Sequence, residues 1–130
     1  MLTSLELANH FGFKIINGDF NALSRPVLVA ELDRPGLELM GLFQYHEKDR
    51  IILIGNKEMA LINSTDPDTI YKNCLKIFSD ECPAVVITHD NPCPDCVMTA
   101  AREKNVPLFS CSQDTSELSS LMYIYLSEAL

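Results

Sequence analysis

Tryptophan is absent from the 130-residue chain and positive charge is scarce: 10 Lys and Arg stand against 18 Asp and Glu, a formal charge of −8. Without a basic cluster, neither sequence-independent nucleic-acid binding nor attraction to an anionic membrane surface is expected, because both need gathered cations. Long apolar runs are missing too. Ile51–Ile54 and Ala84–Ile87 are strand-sized, far short of the ~20 residues that span a bilayer. The opening Met1-Leu-Thr-Ser-Leu-Glu-Leu7 has neither the basic region nor the apolar stretch of a signal peptide. A cytoplasmic protein with no membrane partner is therefore expected. Only 5 glycines and 7 prolines accompany 47% hydrophobic residues, which excludes collagen-like, low-complexity and disordered chains. This length suits a single domain over residues 1–130 with one real core. Five cysteines cannot all pair within one chain, and in the cytosol they default to free thiols.

What is present is a sequence of short apolar runs separated by helical patterns. Thr3 to Phe11 reads as an amphipathic helix capped by Thr3 or Ser4. Phe13–Ile16 reads as a strand stopped by Asn17-Gly18, and Pro26–Leu32 as a second, the two forming a hairpin-like pair that would run antiparallel. Leu37–Met40 makes one or two helical turns ended by Gly41, and Ile51–Ile54 is a strand covered on both faces. Helices are expected at Lys57–Ile62, Pro67–Phe78, Asp95–Lys104 and Ser112–Leu130, with strands at Ala84–Thr88 and Pro107–Ser110. Strand-helix-strand order from Ile51 onward implies right-handed crossovers. The fold class is α/β, a three-layer α/β/α sandwich around a mixed, mostly parallel sheet of about five strands.

Candidate chemistry is sparse. Cys93-Pro-Asp-Cys96 follows a strand and opens a helix, where the dipole would favour a reactive thiolate; the plainer reading is two space-filling thiols beside first-turn prolines. Zinc would need Cys93 and Cys96 to meet Cys82, Cys111, His89 or His46, yet no second close pair exists, so no residue is assigned to metal and the histidines are taken as surface or loop groups. Gly36-Leu-Glu-Leu-Met-Gly41 has the glycine spacing of a phosphate loop, but Leu42 and Phe43 follow where Lys and a hydroxyl are required. No catalytic residue is assigned. There remains Arg34-Pro-Gly36, a turn that would set a guanidinium beside the N–H groups of a helix start, suited to phosphate or carboxylate. The alternative is that Arg34 pairs internally with Asp33 or Glu38.

The same segment carries a family resemblance. Asp33-Arg-Pro-Gly-Leu-Glu-Leu-Met-Gly-Leu-Phe43 resembles the S-R-P-G-L-E-L-A-G-Y-F stretch of the N-terminal domain of bacterial HPr kinase/phosphorylase. Asp49-Arg-Ile-Ile-Leu-Ile-Gly55, Glu58, Cys82-Pro-Ala-Val-Val-Ile-Thr88, Ala100-Ala-Arg-Glu103, Val106-Pro-Leu108, Thr115-Ser-Glu-Leu-Ser-Ser-Leu121 and Tyr125-Leu126 keep that family's order. Departures are Asp33 for the usual Ser, Met40 for the usual Ala, and Cys93 and Cys96 where proline and acidic residues are common. The resemblance implies a fold similar to Mur ligase substrate-recognition domains. It also implies a full-length protein that phosphorylates a serine of the phosphocarrier HPr with ATP, and reverses this by phosphorolysis, in carbon catabolite control. ATP, magnesium and the catalytic residues would belong to a second, C-terminal domain, so no cofactor is expected in this chain.

The resulting expectation is a regulatory or binding domain. Arg34, Gly36 and Glu38 would form its functional surface, with Arg25 and Arg50 as further anion-binding candidates. Its partners would be the kinase domain, neighbouring subunits, or a phosphorylated or carboxylated small molecule. The alternatives are a cysteine-based redox or zinc-binding module and a stand-alone structural interaction domain.

Overall fold

Alternation along one strand sets the layers. In the computed structural model, which describes residues 1–130, β3 (Ile51–Ile54) is buried on both faces. Ile52 and Ile54 join a cluster with Leu39, Met59, Ile62, Ile70, Cys74, Ile77 and Val97, whereas Ile51 and Leu53 join one with Leu7, Ala8, Leu118, Met122 and Leu126. A period of two thus sends successive side chains into different cores, each fully buried Ile or Leu being worth ~1.5–3 kcal/mol. The first core lies under α3 (Gly36–Leu39), α4 (Asn56–Asn63), α5 (Pro67–Ile77) and α6 (Asp95–Lys104); the second lies under α1 (Ser4–Phe11) and α7 (Thr115–Ala129). The result is the expected three-layer α/β sandwich.

The sheet has five strands in the order β1-β5-β4-β3-β2, with β1 at Lys14–Asn17, β2 at Leu32–Asp33, β4 at Val85–Ile87 and β5 at Leu108–Ser110. From β2 to β5 all pairings are parallel, and β1 alone runs antiparallel, against β5. The expected hairpin between the first two strands does not form: β1 and β2 lie on opposite edges of the sheet. Asn17-Gly18 leads instead into the short helix α2 (Phe20–Leu23), whose first turn is capped by Asp19 Oδ1, which accepts from Ala22 N at 2.9 Å. Pro26 to Glu31 is not a sheet strand. Its neighbours bond the start of α1, with Ser4 N donating to Arg25 O and Val27 N to Leu2 O, both at 2.9 Å. Pro26 brings no N–H to a ladder, and only Leu32 and Asp33 reach β3.

Helix ends agree with their sequence signals. Thr3 and Glu6 form a reciprocal capping box on α1, and Gly12 closes it at φ +69°. Asp66 caps α5 ahead of Pro67.

Candidate functional site

Because β2, β3 and β4 are parallel, the chain leaves all three at one edge, and Arg34, Gly55 and His89 come together there although they are far apart in sequence. Crevices outside the carboxyl ends of parallel strands are the usual ligand positions of such sheets. Here a crevice of about 250 Å³ is lined by Arg34, Asn56, Lys57, His89, Asp114, Thr115 and Ser116, none of them hydrophobic. The first turns of α4 and α7 both face it, adding the positive ends of two helix dipoles.

Its framework is rigid. Glu58 Oε1 accepts Gly55 N at 2.7 Å, Arg34 Nη2 at 2.9 Å and Arg34 Nε at 3.1 Å. One buried carboxylate therefore caps α4 and holds the guanidinium. Arg34 is paired internally, but with Glu58 and not with the sequence neighbours Asp33 or Glu38. The short helix α3 does not hold the guanidinium either. Nη1 has no protein partner, and the side chain is 40% exposed, so a donor remains for a ligand. Thr88 and Thr115 tie the end of β4 to the start of α7 by a 2.6 Å hydroxyl pair. Thr115 N donates to His89 Nε2 at 3.3 Å, which leaves the proton of a neutral imidazole on Nδ1. His89 and Asp90 hold φ of 59° and 54°, a left-handed turn that costs of order 1–3 kcal/mol per residue outside glycine. Gln113 O and Cys111 O keep it in place by accepting their backbone N–H groups.

On the other side of Arg34 lies a second cavity of about 420 Å³, lined by Asp33, Leu37, Glu38, Gly41, Leu42, Phe43, Gln44 and Tyr45. Beneath it the loop residue His46 turns its side chain inward, 7% exposed and so not a surface group, with Nδ1 3.6 Å from Glu38 Oε2 and 3.8 Å from Asp33 Oδ2. Burial, and next the Glu38 charge, push the Asp33 carboxyl up to about 6. A carboxyl with a raised folded-state value stabilises the fold when protonated, and that contribution disappears as pH rises through about 6. In metal-free buffer, Asp33→Asn is therefore expected to gain on the wild type by about 1–2 kcal/mol between roughly pH 5 and 8. Urea denaturation at both pH values measures this; an equal difference at each would contradict it.

The other sequence candidates are dispersed. Arg25 donates Nη1 to Ser79 O and Cys82 O and Nη2 to Lys104 O and Asn105 O, so its guanidinium is occupied by four carbonyls that join the loops after α5 and α6. Arg50 lines a separate shallow groove with Glu31, Leu32, Ser119, Ser120, Tyr123 and Ile124. Gly36 opens α3 and lines neither cavity; a Cβ there would meet only Leu61 Cδ1, at 3.7 Å. Burial pushes the Cys93 thiol up to about 11 and raises Cys96 as well, the opposite of an activated thiolate. No three metal-ligating groups that include a cysteine come together, so the zinc alternative does not assemble, and the raised thiols leave the redox alternative without support. Lys57 and Thr115 line the crevice without being sequence candidates, and His89 is one only as a zinc ligand. Only the Gly55 to Glu58 helix start, following a buried strand, pointed toward them.

The description "HPr Serine kinase N terminus" belongs to the family model that matches residues 2–126. HPr kinase/phosphorylases of Bacillus cereus and Bacillus anthracis are each 31% identical to this chain over 125 residues, 96% of its length. The protein of the same description from Bacillus thuringiensis is similar to the same extent. The chain spans about 40% of the length of these curated relatives. No helix is long and apolar enough to cross a membrane.

Proposed function

The chain belongs to the HPr serine kinase N-terminal family, and on that premise we propose that it is the recognition domain of an HPr kinase/phosphorylase-like protein, taking a phosphorylated or carboxylated small molecule beside Arg34. Binding there would be passed to a kinase domain or neighbouring subunit acting on a serine of HPr. The chain's own part is recognition and not phosphate transfer, since Leu42 and Phe43 stand where a phosphate loop needs its lysine and hydroxyl.

The observation that carries this reading is the polar crevice at the strand ends, where the spare Nη1 of Arg34, the Lys57 ammonium and the start of α4 converge, the start of α7 being already capped by Asp114. Donors held this way suit an oxyanion, because charge-assisted bonds to a fixed guanidinium are about twice as strong as neutral ones. Calorimetric titration with inorganic phosphate, a hexose phosphate and a dicarboxylate tests it. At least one should bind, and Lys57→Ala should weaken it about 10-fold, the loss of one exposed charge-assisted contact. No binding by any of them, or binding indifferent to both Lys57→Ala and Arg34→Ala, would remove the crevice from consideration.

A second reading is favoured by one feature. Leu37, Leu42 and Tyr45 are 62%, 60% and 82% exposed around the larger cavity, an apolar rim fitted to pack against the kinase domain or a neighbouring subunit.

A further inference from the structure

Four buried side-chain polar atoms lack a hydrogen-bond partner in the whole molecule, and three of them sit together: Asp33 Oδ2, His46 Nδ1 and His46 Nε2. Each such orphan costs ~1–3 kcal/mol, so three in one place call for an explanation. The fourth is Gln113 Oε1.

We propose that Asp33, Glu38 and His46 hold a divalent transition-metal ion of the zinc type, a site beyond the oxyanion reading and independent of it. One ligand atom from each residue lies within 4.8 Å of the others. The 3.6 and 3.8 Å separations from Nδ1 are too long for good hydrogen bonds. They are close to the ~3.4 Å edge of a tetrahedron whose metal–ligand bonds are ~2.1 Å, so His46 needs to approach either carboxylate by only a few tenths of an ångström, while the two carboxylate oxygens, within 4.8 Å of each other, close around the ion. His46 and Glu38 have side chains only 7% and 9% exposed, and the imidazole is held edge-on against Phe43 with ring centroids 5.9 Å apart. The ligands are therefore preorganised.

Charge points the same way. Two carboxylates and a neutral imidazole balance a doubly charged cation, whereas without one the two acids oppose each other unless one of them keeps its proton. An imidazole with two carboxylates suits Zn²⁺, Co²⁺ or Mn²⁺ better than the hard all-oxygen preference of Ca²⁺ and Mg²⁺. Coordination through Nδ1 satisfies two of the three orphans at once. Asp33 and Glu38 also line the 420 Å³ cavity, so a fourth coordination position opens there, as it does where zinc meets water or a ligand oxygen.

The test uses the whole 130-residue chain, stripped with chelator and then equilibrated with zinc or cobalt. One equivalent should be retained, cobalt should show the intense visible absorption of a four-coordinate site, and the melting temperature should climb with free metal concentration. Asp33→Asn and His46→Gln should each lower affinity by more than the ~10–100-fold that outer partners of a metal site are worth, and Cys93→Ser/Cys96→Ser should leave it unchanged. Asp33→Asn removes a repelling charge with little change of volume, so it remains informative even if His46→Gln does not fold. Absence of stoichiometric binding overturns the proposal. So does metal that survives Asp33→Asn, or metal that is lost with the two cysteines.

Discussion

Gly55→Ala is expected to destabilise the protein by about 3 kcal/mol or more and to distort the strand-end crevice. Backbone strain is not the reason, since Gly55 sits at φ −102°, open to any residue. Space is. A Cβ would stand 2.5 Å from Thr115 Oγ1, 2.9 Å from Arg34 Nη2 and 3.3 Å from Glu58 Oε1. Arg34 is long enough to swing aside, but Thr115 is buried and its hydroxyl is bonded to Thr88, so relief requires breaking that pair or shifting the start of α7. Overpacking of this kind costs ~1–3 kcal/mol, and losing the buried hydroxyl pair adds ~1 kcal/mol or more. Urea denaturation of the variant gives the number. A loss below about 1 kcal/mol would mean that the β3, β4 and α7 termini are not locked as described.

Glu58→Ala is expected to cost about 3 kcal/mol through a different cause. The buried carboxylate serves three donors, and its removal leaves the Gly55 N–H with no acceptor and Arg34 with no anchor. Breaking a buried ion pair from one side costs ~3–5 kcal/mol; the low end applies because Arg34, 40% exposed, regains water. A cycle with Arg34→Ala should show ~1–2 kcal/mol of coupling between the two side chains. Additive effects would contradict the pairing.

Those two positions also show what could and could not be read in the chain. The runs at Ile51–Ile54 and Ala84–Ile87 and the stripe Leu118, Met122, Leu126 announced strands and a helix, because apolar periodicity reports burial directly. The Thr3 cap, the Asp66-Pro67 start and Gly41 were equally plain, each being a local signal. The order of strands was not local. Residues 26–31 have strand-like composition, yet Val27 N is used by Leu2 O just ahead of α1, and β1 is paired by a strand that arrives some ninety residues later, Lys14 meeting Ser110. The site suffers the same limitation. Arg34 meets Glu58 only because the chain after β2 runs beside the chain after β3, so no spacing within the Arg-Pro-Gly turn revealed its partner. His46 lies in a polar loop that reads as exposed, and the fold buries it between Asp33 and Glu38. Arg25 reads in the sequence as an anion-binding candidate. Four carbonyls from distant loops occupy it, a role no local pattern records.

Recognition of an oxyanion at the strand ends is tested most directly by amide chemical-shift mapping of the isotopically labelled chain during titration with inorganic phosphate and a hexose phosphate. The expected result is a saturable set of shifts confined to Arg34, Gly55 to Glu58, His89 and Thr115 to Glu117, absent in Arg34→Ala. Shifts centred on the Arg50 groove, or none at concentrations well above those of cellular phosphate esters, would contradict it.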